Sequence, residues 1–293
     1  MSFVRTVIDA ISYSGSVSAT WSPYARMGLG IEHREGRCRS WWSPHLQRSR
    51  EFIVSYARPC RKVAVFGAGR LLDIDLLHLL SITEEVHLFD LDPGAIQVWR
   101  EAVPAKDRSR VFFRCEDVVS CLRVWEHPLR RAPHRAACVE ALQSLVPPPP
   151  HWLEERYDGI ISLNLLGQIP LYWRDRVVAL CERRGLRVPK SELELSMARL
   201  QVAHLDAVTQ GAAEWSIILT DTEYYYYRDG QQRWSAESAL FGEASGSWHS
   251  LTKRCSAPSF DTWWWHLAPQ FVEREEYGEI HKVEALFMIN EVP

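Results

Sequence analysis

Residues able to do chemistry in this chain recur where short apolar runs end. Gly67-Ala68-Gly69 directly follows Lys62-Val-Ala-Val-Phe66. Its missing side chains permit a tight turn and let a ligand approach the backbone. About 20 residues later Asp90 ends the run Val86-His-Leu-Phe89, the spacing at which an acid meets a ribose hydroxyl pair. Asp92 is the second candidate for that role, but it also reads as a cap before Pro93 at the first helical position. Glu116-Asp117 follows Val111-Phe-Phe113, Asn164-Leu165-Leu166-Gly167-Gln168 follows Tyr157 to Leu163, and Asp221 follows Trp215 to Thr220. A polar or glycine residue at every run's end, acidic at the second and third, suits an adenosine-containing ligand lying across strand ends. Each residue has a plainer alternative as turn or cap, Asp117 above all as a helix N-cap.

The elements that must position these residues alternate between β-branched or aromatic runs and helix-period segments, the pattern of a parallel sheet with helices on its faces. The expected order is a strand at 62–66, a helix from Leu71 to Leu80, a strand at 85–89, a helix from Asp92 to about Val103, and strands at 111–113, 157–163 and 215–220. Residues 118–156 exceed the length of a simple crossover and read as a surface helical insertion ending in the stiff Pro147 to Pro150 run. Ser191 and Glu194 read as a capping box for a helix to Gly211. Residues 221–250 read as a two-stranded flap turning at Asp229-Gly230. The segments 262–268 and 280–289 lie too close together for a crossover and are expected to pair antiparallel. Residues 1–60 form an N-terminal helical cap, with a helix beginning at Ser43-Pro44 and Leu46, Phe52, Ile53 and Tyr56 on one face. That cap either closes over the ligand edge or only buries apolar surface. Residues 61–293 form the ligand-binding domain.

With 293 residues, 46% hydrophobic and 24% charged, the composition excludes disordered, collagenous and membrane-spanning classes. A net charge of -3 without a basic stripe speaks against nucleic acid as partner. Seven cysteines without a C-x-x-C pair point to a reduced protein without a structural metal. Met1 to Ala19 lacks the continuous apolar stretch of a secretory signal, so a cytoplasmic location is expected and no membrane contact. The 13 tryptophans and the Tyr224 to Tyr227 run imply a wide apolar face or a deep aromatic cavity.

The order of these motifs resembles class I S-adenosylmethionine-dependent methyltransferases over about residues 62–293. Val63-Ala-Val-Phe-Gly-Ala-Gly69, Val86-His-Leu-Phe-Asp90, Arg114-Cys-Glu-Asp117 and Tyr157-Asp-Gly-Ile-Ile-Ser-Leu-Asn164 carry the resemblance. It implies a doubly wound, seven-stranded, mostly parallel Rossmann-like sheet whose last strand is antiparallel. It also implies S-adenosyl-L-methionine as cofactor, with S-adenosyl-L-homocysteine as product. By motif match Gly67 and Gly69 face the methionine portion, Asp90 the ribose and Asp117 the adenine, with Ala68, Leu91, Asn164 and Leu165 completing the cofactor site. The chain departs from the family at Phe66, where an acid often stands, and at Leu71, the third glycine position. Asn164-Leu-Leu-Gly167 replaces the Asn/Asp-Pro-Pro-aromatic tetrad of enzymes acting on base amino groups or glutamine amides, which speaks against such acceptors.

A sulfonium methyl is already activated, so the protein must align an acceptor and, where needed, remove its proton. Candidate bases are His45, His204, Asp221 and His266. His204 has the Leu200-His204-Val208 spacing of a core histidine, and Asp221 could instead anchor the flap. Arg34, Arg37 and Arg39 either grip an acidic substrate or sit in a solvated loop. Trp21, Trp41, Trp42, Gln168 and the Tyr224 to Tyr227 run are expected around a small-molecule or peptide acceptor bound through an O or N atom, whereas Trp263, Trp264 and Trp265 are expected mostly to pack. Two other readings stay open: an NAD(P)-dependent oxidoreductase, against which Leu72 stands where G-x-G-x-x-G needs its third glycine, and a non-catalytic nucleoside-binding protein. Oligomeric state is left open.

Overall fold

Strand β1 (Cys60–Phe66) buries both of its faces, with Ala64 and Phe66 in one apolar cluster and Val63 and Val65 in another. A strand apolar on both sides must lie centrally in a sheet covered by helices. The computed structural model, which describes residues 22–119, 122–232, 234–254 and 259–290, has this arrangement. Parallel to β1 run β2 (Thr83–Asp90) on one side and β4 (Tyr157–Leu163) on the other. Outside them lie β3 (Val111–Cys115) and β5 (Ala212–Arg228), also parallel. β9 (Gly278–Ile289) then enters antiparallel between β5 and the edge strand β8 (Phe260–Ala268).

The order is therefore β3-β2-β1-β4-β5-β9-β8 in a mostly parallel mixed sheet of an α/β fold. Among the described residues nine strands are present where seven were expected, because β6 (Gln231–Gln232) and β7 (Glu237–Ser238) also pair with an overlong β5. The order reverses between β1 and β4, a topological switch point that opens a crevice at the strand ends.

One helical layer contains α2 (Leu76–Ile82) and α3 (Ala95–Ala102), with Phe52 and Ile53 from the end of α1 (Ser22–Tyr56). The other contains α4 (Leu122–Arg131), α5 (Arg135–Gln143), α6 (Leu165–Glu182), α7 (Lys190–Gly211) and α8 (Gly242–Arg254). Among the described residues no helix is long and apolar enough to cross a membrane.

Several sequence expectations are corrected. α1 does not begin at Ser43-Pro44 but runs straight through Pro44, its indole and imidazole side chains packing on β8. Tertiary contact there outweighs the break that proline favours. The helix expected from Leu71 starts at Leu76 instead, because Asp75 accepts the His78 N–H as its cap and Leu71 has a positive φ of 58°. Ser191 is not a cap, since α7 already starts at Lys190 after Pro189. Helix α6 follows Asn164 directly and was not foreseen. The 118–156 segment is more than a surface insertion: Trp125, Leu129, Leu142 and Trp152 are buried in the core, and the Trp152 indole N–H donates to the Val118 carbonyl at 2.8 Å.

The 221–250 segment is not a free flap either. Glu223 to Tyr227 continue β5 against β9, while residues 242–254 form α8. The turn at Asp229-Gly230 does join two antiparallel strands.

Gly159 in β4 lies against Trp215 of β5, and a Cβ there would clash with the indole, 2.2 Å from its Cζ2. Gly159→Val is expected to lower unfolding free energy by about 1–3 kcal/mol through overpacking, measured by urea denaturation.

Candidate active site

The strand ends open onto a cleft of about 1950 Å³. Gly67, Ala68, Gly69, Asp90, Leu91, Asp117, Asn164 and Leu165 all lie on its wall. Gly67 has φ +71°, and a Cβ there would stand 2.6 Å from the Leu163 carbonyl oxygen and 2.8 Å from Leu165 Cγ. Only glycine lets this turn pass so close to the β4 end. The Gly67 and Ala68 N–H groups donate to the Phe89 carbonyl at 3.0 and 3.1 Å, which binds the turn to β2.

Asp90 ties the first two loops together, accepting the Gly69 N–H at Oδ2 and the Asp92 N–H at Oδ1, each at 2.7 Å. Burial pushes its carboxyl up, opposed by those backbone donors. Asp92 accepts the Gly94 N–H at 2.8 Å, and burial raises it to about 6. Helix α1 passes so close that a Cβ at Gly28 would overlap the Asp92 carboxylate. Arg70 links α1 to the loop after β2, 2.9 Å from Glu32 and 3.7 Å from Asp92. Asp117 accepts the Val119 N–H at 3.1 Å. Asn164 sits in the left-handed region with φ 55°, and among the described residues its buried Oδ1 has no hydrogen-bond partner.

Across Asn164 the cleft reaches β5 and β9. Asp221 Oδ2 lies 3.1 Å from His281 Nδ1, and His281 Nε2 lies 2.9 Å from Glu279 Oε1. Burial alone would lower His281, but Asp221 and Glu279 outweigh it and hold the imidazole up at about 9, so it is charged near neutral pH. Tyr224 stacks obliquely on His281 with centroids 4.3 Å apart and donates its hydroxyl to the Gly167 carbonyl at 3.4 Å. Gly167 leaves room for both neighbours, since a Cβ there would meet Asp221 Cβ at 3.2 Å and the Tyr224 hydroxyl at 3.4 Å.

Other expected residues fall elsewhere. His204 is buried beneath the sheet with Nε2 2.8 Å from Ser162 Oγ, and burial lowers it to about 4; it is a core histidine, off the cleft wall. His45 is no base for the cleft, because it is buried between α1 and β8, accepts the Trp263 indole N–H at 3.0 Å, lies 2.9 Å from Asp73 and stacks on Trp265. Arg34 and Arg37 both donate to Glu273 of this chain, at 3.1 and 2.7 Å, and so hold α1 to the loop before β9. Arg34 still borders the cleft, whereas Arg37 does not. Gln168, Trp42 and Tyr224 line the cleft; Trp41 is exposed beside His266 instead. Trp265 also lines it, although the tryptophan triplet was expected to pack. Trp21 lies outside the described residues.

Sequence reasoning missed His281 and Glu279. Their only signal was a two-residue spacing on one face of a strand, and their partner Asp221 lies far away in sequence. It likewise missed Trp234 and Tyr277, whose rings meet each other and that of Tyr226, a member of the expected tyrosine run, edge to face at centroid distances of 5.6 to 6.3 Å.

No family model matches the chain, and no curated protein matches its sequence. Among solved structures it is similar to the N-methyltransferase NodS from Bradyrhizobium japonicum WM9, at 11% identity and TM-score 0.36, covering 84% of this chain and 93% of that one. It is also similar to magnesium protoporphyrin IX methyltransferase from Synechocystis PCC 6803 with bound SAM, at 12% identity and TM-score 0.33, covering 92% and 84%. An rRNA methylase from Streptococcus thermophilus aligns at 8% identity and TM-score 0.33, covering 82% and 95%. Likenesses of this size carry no inference about activity or acceptor, which rest on the geometry of the cleft.

Because His281 is held at about 9 against an ordinary 6.5, its charged form stabilises the fold fully below pH 6.5. That contribution, at most about 3 kcal/mol, disappears as pH rises through 9. Urea unfolding at the two pH values is expected to show the decline in the native protein and a flatter profile in His281→Gln.

Proposed function

We propose that this chain is an S-adenosylmethionine-dependent methyltransferase acting on an O or N atom of a small-molecule acceptor. One observation carries the reading. Four strand-end loops converge on one cleft at the switch point of a sheet whose β9 is reversed between β5 and β8. Ligands of open α/β sheets bind in that crevice.

The residues present fit the cofactor. The Gly67 turn lets backbone approach the amino-acid portion, and Asp90 retains lone-pair capacity for the ribose hydroxyls beyond its bonds from backbone N–H groups. Asp117 stands at the adenine end. The orphaned Asn164 Oδ1 offers a buried acceptor that a ligand donor would satisfy. When bound, S-adenosylmethionine supplies an activated methyl on a sulfonium. The protein's task is then alignment, exclusion of water and acceptance of a proton from the acceptor, and orientation alone can supply several kcal/mol. Asp221, on the cleft wall beside the first turn of α6, is the group for the last task.

Carboxylates on the wall include Asp73, Asp90, Asp92, Glu116, Asp117 and Asp221. Their excess supports an uncharged or cationic acceptor over a phosphate-rich strand, which needs a basic lining. The reversed β9 is what favours a methyltransferase over an NAD(P)-dependent oxidoreductase. A nucleoside-binding protein without catalysis would bind the cofactor and turn over no acceptor.

Calorimetric titration with S-adenosylhomocysteine, NADH and NADPH is expected to give binding of the first alone. Gly67→Ala, with secondary structure retained by circular dichroism, is expected to weaken it by about ten-fold or more, a loss of about 1.4 kcal/mol. Binding of a nicotinamide nucleotide instead would sink the reading.

A further inference from the structure

Beyond Asp221 the cleft changes character. Tyr224, Tyr226, Trp234 and Tyr277 stand on its wall together with the carboxylates of Asp221, Glu237 and Glu279. The cations facing these acids, Arg274, His281, Arg34 and Arg174, are all engaged, Arg34 with Glu273. Arg274 lies over the Tyr277 ring at 4.7 Å, with Nη1 3.4 Å from Glu279. His281 is held between Glu279 and Asp221. Burial would raise Glu279, but His281, Arg274 and Arg34 hold it below the usual carboxylate range, so it is ionised. Arg174, also on the wall, is paired with Asp175.

One atom is left over. The Asp221 side chain is only 2% exposed, and among the described residues its Oδ1 has no hydrogen-bond partner. A buried carboxylate oxygen accepts only, and leaving it without a donor is costly. The ligand must bring that donor.

Resting on the methyltransferase reading, we propose that the acceptor is an aliphatic amine that enters as an ammonium, donating an N–H to Asp221 Oδ1 with its charge against the faces of Tyr226 and its aromatic neighbours. The ring quadrupole attracts a cation placed on such faces. A hydroxyl could also donate to Asp221, but it gains nothing from the negative lining. An alkyl hydroxyl moreover needs a stronger base than any carboxylate, and His281 already carries its proton.

An ammonium asks less. One N–H proton passes to Asp221 Oδ1, and the freed lone pair forms the N–CH3 bond. The S–CH3 bond breaks with its electron pair retained by sulfur, giving a neutral thioether and a methylammonium. The Asp221 proton leaves to solvent when the product departs.

The test is calorimetry of 2-phenylethylamine and its near-isostere 2-phenylethanol on protein saturated with S-adenosylhomocysteine near neutral pH, with mass spectrometry of the amine after incubation with S-adenosylmethionine. The amine is expected to bind about ten-fold or more tightly than the alcohol and to gain one methyl group. Asp221→Asn should erase that preference with S-adenosylhomocysteine affinity unchanged, and Tyr226→Leu should weaken the amine several-fold. Should Asp221→Asn not fold, the native protein's preference decides alone. Equal binding of the two probes, or no amine binding, by a protein that does bind S-adenosylhomocysteine overturns this inference only. Failure to bind S-adenosylhomocysteine overturns the methyltransferase reading itself.

Discussion

The antiparallel pairing of β9 with β5 is the constraint on which the cleft's chemistry depends. Its register runs from Trp215 opposite Ile289 to Tyr227 opposite Gly278, with one irregularity between Asp221 and Glu223. An extra residue in a strand shifts the alternation of side chains beyond it. Trp215, Ile217 and Leu219 face one helical layer, and Asp221 continues their parity. After the bulge the even-numbered Tyr224 and Tyr226 reach the same wall as Asp221. Without that extra residue Tyr225 would take their place; in the structure it packs against Trp264 at 5.0 Å. The pairing also sets His281 beside Asp221, and so creates a charged imidazole between two carboxylates.

A second network organises the opposite end. Asp90 joins the loops after β1 and β2 through two backbone N–H groups, and Trp99 of α3 donates to the Gly69 carbonyl at 2.8 Å. Above them α1 lies across the strand ends, fastened at Gly28, at the Glu32–Arg70 pair and at Glu273 with Arg34 and Arg37. These ion pairs are partly exposed, and such pairs contribute modestly on their own. Closer fastening comes from buried rings, with Trp42 edge-on to Trp265 at 5.1 Å and His45 stacked on the same indole at 4.1 Å. The N-terminal helix thus buries apolar surface and borders the cleft.

Much of the sheet was legible because its evidence is local. An apolar run such as Tyr157 to Leu163, bounded by polar residues, names its own strand, and the glycines and acids at strand ends name the crevice. Helix starts were less legible. Pro44 reads as a beginning, yet the contacts that carry α1 through it belong to β8, more than 200 residues away. His204 and His45 read as bases because exposure is invisible in a chain; burial makes one a neutral partner of Ser162 and the other a partner of Trp263. Arg34 and Arg37 likewise read as substrate ligands until Glu273 is seen to take both guanidinium groups.

The sequence by itself determined the alternation of strand and helix, the glycine turn after β1, the acidic residues after β2 and β3, and the reversed closing strands. Those features rest on backbone geometry and on side-chain periods of a few residues. Only the tertiary structure decided which charges meet. The Asp221–His281–Glu279 chain, the cluster of Tyr226, Trp234 and Tyr277, and the orphaned Asp221 oxygen all depend on strand order, register and one bulge. The physical reason is that burial and pairing, which set a group's charge and its free lone pairs, are properties of neighbours in space.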